Sequence, residues 1–171
     1  MKKTVVPALI LTAICLVVVS LLALTNLLTA ERIAAEEKLA TTRAAQSVLS
    51  EASTLSEITE EGYLGFIGYD EEENVVGYVF VHSAKGYGGD VTAIVGVDMN
   101  GCIAGVVLKA PDETPGLGAN VAKESYTSQF IGKSDASGVD AVSGATYSSK
   151  AAEAAVKAAL ESYAAFTEGG K

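Results

Sequence analysis

The chain has one histidine, His82, and no tryptophan among its 171 residues. Catalysis that needs a histidine base, the Ser-His-Asp route above all, is therefore almost closed. His82 falls on a strand pattern and reads as a surface or hydrogen-bonded residue rather than a ligand. Cysteine is as scarce. Cys15 lies in an apolar run and Cys102 in a predicted strand, with no C-x-x-C and no Cys/His cluster. That excludes a disulfide framework and any iron–sulfur or structural zinc site made by this chain alone. Three phosphate or hydrolase patterns also fail. Gly132-Lys133-Ser134 resembles the end of a P-loop, but Thr127 stands where its first glycine belongs. Gly86-Tyr87-Gly88-Gly89 lacks the third glycine of a dinucleotide fingerprint, whose place is taken by Val91. No lysine has a serine three residues before it, so the Ser-x-x-Lys pattern is missing.

Charge is missing altogether from Thr4 to Ala30, a run rich in Leu, Val and Ile. A hydrocarbon core about 30 Å thick is crossed by roughly 20 apolar residues in a helix, so this run predicts a transmembrane anchor. Pro7 stands near its start, where a missing N–H does little harm. A cleaved signal peptide would have an apolar region of about 7–15 residues and a small-x-small cleavage site. Leu27-Leu28-Thr29-Ala30 offers a poor one, so an uncleaved anchor is the expectation. Cys15 has no lipobox-like leucine three positions before it, which rules against a lipoprotein. Lys2 and Lys3 precede the run, and the positive-inside bias then places the N-terminus in the cytoplasm and residues 31–171 on the outer face. All 21 acidic residues but only 10 of the 12 Lys and Arg lie beyond residue 30, a formal −11 there. Neither nucleic acid nor an anionic membrane surface suits such a charge as a partner.

Glu31 to about Ser56, rich in Ala, Glu and Leu with no Pro or Gly, predicts a helical stalk that enters a domain near Gln46. Asp70-Glu71-Glu72-Glu73-Asn74 reads as a solvated turn, with a cation site as the lesser reading. Val75 to His82 is a predicted strand. Val91 to Asp98 and Ile103 to Lys109 flank Met99-Asn100-Gly101-Cys102, and Asn-Gly between two β-rich runs is a strong hairpin signal. Gly96 and Gly105 inside those strands predict either close approach by a backbone or ligand, or a strand kink. Ala110 to Asn120 is a loop shaped by two prolines and two glycines. Val121 to Phe130 predicts a short helix anchored by Val121, Phe130 and Ile131, and Gly132 to Val139 another loop. Ser148 to about Phe166 predicts a helix with Ala152, Val156, Ala159, Leu160 and Tyr163 on one face, capped by Thr146 or Ser148.

Asp140 to Ser149, D-A-V-S-G-A-T-Y-S-S, is a small-residue turn running straight into that helix. A helix start offers free N–H groups and the positive end of the dipole, which together suit a phosphate. Gly144 and Ala145 leave the backbone open to approach, and Thr146, Ser148 and Ser149 add hydroxyls. On the residues alone, a phosphate site and an ordinary capped helix both stand.

Asp140-x-x-Ser143-Gly144-Ala145-Thr146 resembles the D-x-x-[ST]-G-A-T signature of proteins in which FMN is joined through its phosphate to the threonine by a dedicated flavin transferase. Tyr87-Gly88-Gly89, the strand ending V-G-V-D, the Asn-Gly hairpin, Glu113-Thr114-Pro115-Gly116-Leu117-Gly118 and Gln129-Phe130-Ile131-Gly132-Lys133 follow in the order found in the FMN-binding domain family. With the anchor, the resemblance extends over essentially the whole chain to the G subunit of the Rnf-type electron-transport complex. It implies covalent FMN on Thr146, with Ser143, Gly144, Ala145 and Ser148 about the phosphate. Tyr87, Gly88, Glu113, Thr114, Gly116, Leu117 and Gly118 would frame the isoalloxazine ring, and Asp140 would serve recognition by the transferase. Lys109-Ala110-Pro111-Asp112 stand where relatives often carry a histidine; the departure puts a proton-handling role in doubt, but not FMN attachment.

The expected fold class is α+β: a transmembrane helix (1–30), a helical stalk (31–56), one small domain with an antiparallel sheet and flanking helices (57–168), and a short tail (169–171). The resemblance implies an electron-transfer subunit, not catalytic alone, of a complex linking ferredoxin and NAD chemistry to ion transport. Its partners would be the other membrane and peripheral subunits, and the transferase during maturation. The alternatives are the FMN-binding subunit of a Na⁺-pumping quinone reductase, an independent extracytoplasmic flavin reductase, and a non-redox assembly subunit whose S-G-A-T turn merely caps a helix.

Overall fold

The computed structural model describes residues 2–60 and 62–169, with side chains from residue 5 onward. Two residues of the expected tail, Gly170 and Lys171, lie outside the described residues, while Gly169 closes the last helix. The chain divides into two compact units after Ala40.

The first unit is one stretch of helix α1 (Lys2–Val48), which is long and apolar enough to cross a membrane. At about 1.5 Å per residue, its 47 residues outrun the hydrocarbon thickness, so only part of it is needed to span. Its polar side chains are matched to such surroundings. Thr12, Thr25 and Thr29 donate their hydroxyls to the carbonyls of Ala8, Leu21 and Thr25, each at 2.9 Å. No loose hydroxyl donor is left at these positions, which the low-dielectric interior of a bilayer would penalise. Pro7 lies inside the helix rather than at its first turn, because helix begins already at Lys2.

The second unit starts with residues 41–48 of α1. The helix stops at Val48, short of the expected Ser56, and Thr54–Glu57 is strand β1. Ala52 N–H turns back to Leu49 O at 3.1 Å and Ser53 N–H donates to Tyr69 O at 2.8 Å, so the chain leaves the helix directly into sheet pairing. Strands β2 (Gly65–Tyr69), β3 (Val75–Lys85), β4 (Asp90–Asp98) and β5 (Ile103–Lys109) follow, and the five pair in sequence order, all antiparallel. The β4–β5 hairpin is built in the predicted place, but without the positive φ at both Asn100 and Gly101 that a two-residue Asn-Gly turn uses. Only Gly101 has positive φ, +79°, while the Asp98 carboxylate accepts the N–H groups of Asn100 and Cys102, both at 2.8 Å. A turn followed by one left-handed glycine replaces the two-residue turn. Cys102 belongs to this loop, one residue before β5, and not to the strand.

Helix α3 (Thr146–Gly169) covers one face of the sheet. Ala151, Ala152, Ala155, Val156 and Ala159 are buried, so small side chains bring the helix close onto Phe80, Ala93, Val95 and Val97. His82 on β3 meets Ser162 Oγ on α3 at 2.7 Å, and burial lowers its pKa. On the other face Ala45, Val48 and Leu49 pack with Phe66, Val79, Val81 and Ile94. Gly96 and Gly105 lie beneath Val48: a methyl group on Gly96 would overlap the Val48 carbonyl, and one on Gly105 would approach it to 2.7 Å. Close backbone approach therefore accounts for both glycines, and a register shift next to Gly96 adds the kink.

The expected helix over Val121–Phe130 is broken into a 3-10 turn (Gly118–Ala122), a single helical turn α2 (Glu124–Thr127) and a second 3-10 turn (Ser128–Phe130), with Lys123 extended. Val121 and Phe130 are both fully buried, whereas Ile131 is exposed and not an anchor. Val121 and Phe130 are nine positions apart. At about 100° per residue a continuous helix would put them on opposite faces, so the chain must break to bury both. The acidic segment is a turn closed by Asp70, whose carboxylate accepts the N–H groups of Glu72 and Asn74, both at 2.8 Å.

Candidate cofactor site

Three segments converge at the start of α3: the loop after β3, the loop after β5 and the S-G-A-T turn. They enclose a cavity of about 380 Å³ lined by Tyr87, Glu113, Thr114, Leu117, Gly118, Gly144, Ala145, Thr146, Tyr147 and Ser148. A larger groove of about 700 Å³ runs along α3 beside residues 134–137, but none of the expected site residues lines it.

The S-G-A-T turn is held from below. Ala145 N–H donates to Val142 O at 2.9 Å, and Gly144 takes the left-handed φ of +76° that spares a glycine steric cost. Ser149 makes the first helical bond, from its N–H to Ala145 O at 2.9 Å, so Ala145 stands at the cap position and Thr146 and Ser148 already lie inside α3. Neither Thr146 nor Ser148 caps the helix. The N–H groups of Thr146, Tyr147 and Ser148 precede that first bond, find no acceptor among the described residues and project from the helix end. Ser149 Oγ works instead within the turn, accepting Val142 N–H and donating to Ala145 O, both at 3.0 Å. Tyr126 reaches the same place from the core and donates its hydroxyl to Ser149 O at 3.2 Å. Burial, with Glu153 nearby, raises the Tyr126 pKa to about 12 against the pull of that hydrogen bond.

Glu113 organises the opposite wall. Its carboxylate is buried and accepts the Tyr87 N–H at 2.8 Å and the Gly88 N–H at 3.4 Å, tying the Gly86–Gly89 loop to the loop after β5. A methyl group on Gly118 would overlap Glu113 Oε2 and stand 2.6 Å from Ser148 Oγ, so floor and wall meet over a bare α-carbon. Leu117 Cδ1 lies 3.4 Å from where a Gly144 side chain would begin, closing the cavity over the turn.

Gly88 stands just behind this lining as a partner of Glu113, and Gly116 shapes the loop, its carbonyl accepting Asn120 Nδ2 at 2.8 Å. Ser143 is exposed in the turn and does not line the cavity. Asp140 faces a separate depression with Lys123 and Gln129, and both ends of its peptide meet the Gln129 amide: N–H to Oε1 at 2.8 Å and carbonyl to Nε2 at 3.5 Å. Tyr147 is absent from the residues expected at the site, although an aromatic residue directly after Thr146 is a visible signal. Gln129 belongs to a motif, but only the folded chain shows what it holds.

Free N–H groups at a helix end, a hydroxyl on the first helical residue and a cavity at the small end of the usual range for ligand sites fit a phosphate-bearing planar group. The class that this fold and site define is a cofactor-binding α+β domain, and residues 86–161 match the family model of the FMN-binding domain. Residues 1–48 match the RnfG N-terminal region. The chain is 31% identical, over 91% of its length and 89% of the other's, to the G subunit of the Na(+)-translocating ferredoxin:NAD(+) oxidoreductase complex of Acetobacterium woodii. It is 36% identical to the G subunit of the proton-translocating ferredoxin:NAD(+) oxidoreductase complex of Clostridium ljungdahlii over 55% of this chain, a match that spans 57% of that protein. Among solved structures it is similar to the C subunit of the Na(+)-translocating NADH-quinone reductase of Parabacteroides distasonis, with a TM-score of 0.53, 26% identity, and 61% and 62% of the two chains covered. The chain belongs to the RnfG family, the G subunits of ion-translocating ferredoxin:NAD(+) oxidoreductase complexes.

Proposed function

We propose that this protein is a membrane-anchored flavoprotein subunit that passes electrons within an ion-translocating ferredoxin:NAD(+) oxidoreductase complex, with FMN joined through its phosphate to Thr146 Oγ1. The observation that carries the reading is the position of Thr146: first residue of α3, exposed, and lining the cavity walled by Glu113, Leu117 and Gly118. A phosphate on its hydroxyl would be held by the N–H groups of Tyr147 and Ser148 and favoured by the positive end of the helix dipole. The redox chemistry is the flavin's own. The chain's residues bind and orient: Glu113 fixes the Tyr87–Gly88 backbone, Gly118 leaves room, Leu117 shields the turn, and Asp140 on its separate surface serves recognition by a flavin transferase. Covalent attachment suits a domain on the outer face, where a dissociating cofactor would be lost, and the two lysines before the apolar run support that orientation.

The similarity to the C subunit of a quinone reductase supports a second reading, an FMN subunit of a Na⁺-pumping quinone reductase. Family membership and alignment over most of the chain favour the first. Co-expression with a flavin transferase should yield a fluorescent band on a denaturing gel and a mass gain of FMN less one water, and Thr146→Val should abolish both. Wild-type protein that gains no such mass defeats the covalent reading. Purified complex that fails to reduce NAD⁺ with reduced ferredoxin defeats the assignment to this type of complex.

A further inference from the structure

Asp140 and Lys123 line one surface depression, apart from the cavity, and each is held in the same way: backbone fixed, charge free. The Gln129 side-chain amide takes both ends of the Asp140 peptide, Oε1 accepting its N–H at 2.8 Å and Nε2 donating to its carbonyl at 3.5 Å. That half-buried side chain makes no other hydrogen bond among the described residues. Lys123 stands extended between two turns. Its N–H donates to Asn120 O at 3.1 Å, and its carbonyl accepts the N–H groups of Tyr126 and Thr127 at 2.9 and 3.0 Å. Both residues are exposed, yet neither the Asp140 carboxylate nor the Lys123 ammonium finds a partner among the described residues. Capturing a surface charge costs the entropy of ordering its side chain, and fixing the α-carbon beforehand lowers that cost. The depression is also indexed to Thr146. Val142 N–H donates to Ser149 Oγ at 3.0 Å and Ala145 N–H to Val142 O at 2.9 Å, so the chain between Asp140 and Thr146 is fixed at its middle. A partner gripping Asp140 and Lys123 meets the Thr146 hydroxyl at a set offset.

We propose that this depression is the docking surface for the flavin transferase, with Lys123 as a second charged contact and Gln129 as the positioning residue that presents the Asp140 carboxylate. The proposal rests on Thr146 as the modified residue and on Asp140 as a recognition residue. The partner is a protein surface carrying a cation opposite Asp140 and an anion opposite Lys123. Two opposite charges at a fixed separation set register as well as attraction. The surface thereby selects Thr146 over Ser143, which is exposed in the same turn. Gln129 touches neither the flavin nor the reacting hydroxyl; it acts through Asp140.

The test uses the full chain in detergent, expressed without a transferase, then mixed with purified flavin transferase and FAD. In the assay the FAD pyrophosphate bond breaks, its FMN phosphate is joined to Thr146 Oγ1, and the hydroxyl proton passes to the leaving AMP. Initial rates against chain concentration, read by in-gel fluorescence and intact mass, give KM and kcat for the chain as substrate. Gln129→Met keeps the side chain's bulk and removes both hydrogen bonds. It should raise KM about tenfold and leave kcat within about twofold of wild type. Lys123→Ala and Asp140→Ala should each raise KM at least as much. Asp140→Ala keeps the backbone groups that Gln129 holds, so in that background Gln129→Met should add less than about twofold, while Lys123→Ala adds its full factor. An equal effect of Gln129→Met in both backgrounds overturns its role through Asp140. Unchanged KM in Gln129→Met and Lys123→Ala, or a loss confined to kcat, overturns the docking surface and leaves Thr146 attachment intact. Unchanged KM in Asp140→Ala defeats the recognition reading and the proposal with it, and absence of FMN mass on wild type defeats the attachment itself. Should Gln129→Met fail to fold, as judged by melting, Lys123→Ala on the exposed surface still decides, since a wild-type KM there is fatal.

Discussion

Two places in the domain use glycine to let something come close, and they differ in what comes. Beneath the end of α1, Gly96 and Gly105 are filled by the chain's own backbone, the carbonyl and α-carbon of Val48. At the start of α3, the atoms nearest a Gly118 side chain would be those of side chains, the Glu113 carboxylate and Ser148 Oγ, at the edge of an open cavity. The first site is complete as it stands: its neighbours are buried apolar groups in van der Waals contact. The second is lined by groups whose capacity is unspent, namely helix-end N–H groups, an exposed threonine hydroxyl and two exposed tyrosine rings. Bare glycine in a strand or loop says only that space is needed. Whether that space is already taken separates a packing device from a binding site.

The comparison is tested most severely by Gly96→Ala. Its methyl group would overlap the Val48 carbonyl, a backbone group that cannot swing aside, and overpacking of this kind costs about 2–3 kcal/mol. Denaturant unfolding of the full chain in detergent should show that loss, with FMN incorporation per folded molecule unchanged. Gly118→Ala should invert the pattern. Two side-chain oxygens can shift, so about 1–2 kcal/mol is expected, but Glu113 and Ser148 would be pushed into the cavity and FMN incorporation should fall sharply. If Gly96→Ala impairs loading and Gly118→Ala does not, the two sites have been assigned the wrong way round.

What can be read in the chain follows from where its signals are local. The β4–β5 hairpin is legible because Asn100-Gly101 marks it, and α3 because its alanines keep helical spacing over several turns. Strand β1 is not, since Thr54–Glu57 is a largely exposed edge whose only reason to be extended is its pairing with β2. The break at Lys123 is also invisible locally: it comes from the demand that Val121 and Phe130 reach the same core. At the site, the turn before α3 and the Glu113–Gly118 loop are legible as separate motifs. Their convergence with Tyr87 and Tyr147 depends on the antiparallel order of β3, β4 and β5, which brings the ends of distant segments to one edge. Asp140, only six residues from Thr146 in sequence, nonetheless faces another depression, because Gln129 holds its peptide there.

The smallest effect sharpens the contrast between a contact made by packing and one made by hydrogen bonds. Val48 rests on glycine backbone, whereas the start of α3 is held by Ser149 and, from the core, by Tyr126. Tyr126→Phe keeps the ring against Phe130 and removes only the hydroxyl, so about 1 kcal/mol should be lost at neutral pH. Its pH dependence separates this bond from general loosening. Folding raises the Tyr126 pKa from 10.0 to about 12, so the native state favours the protonated phenol. That contribution is complete below pH 10 and is lost as pH rises through about 12. Wild type should therefore lose stability across that window more steeply than Tyr126→Phe, and the gap between the two curves should close and then reverse towards the alkaline end. Parallel curves would mean that the hydroxyl is not buried against Ser149, and that the start of α3 is fixed by packing, as the Val48 contact is.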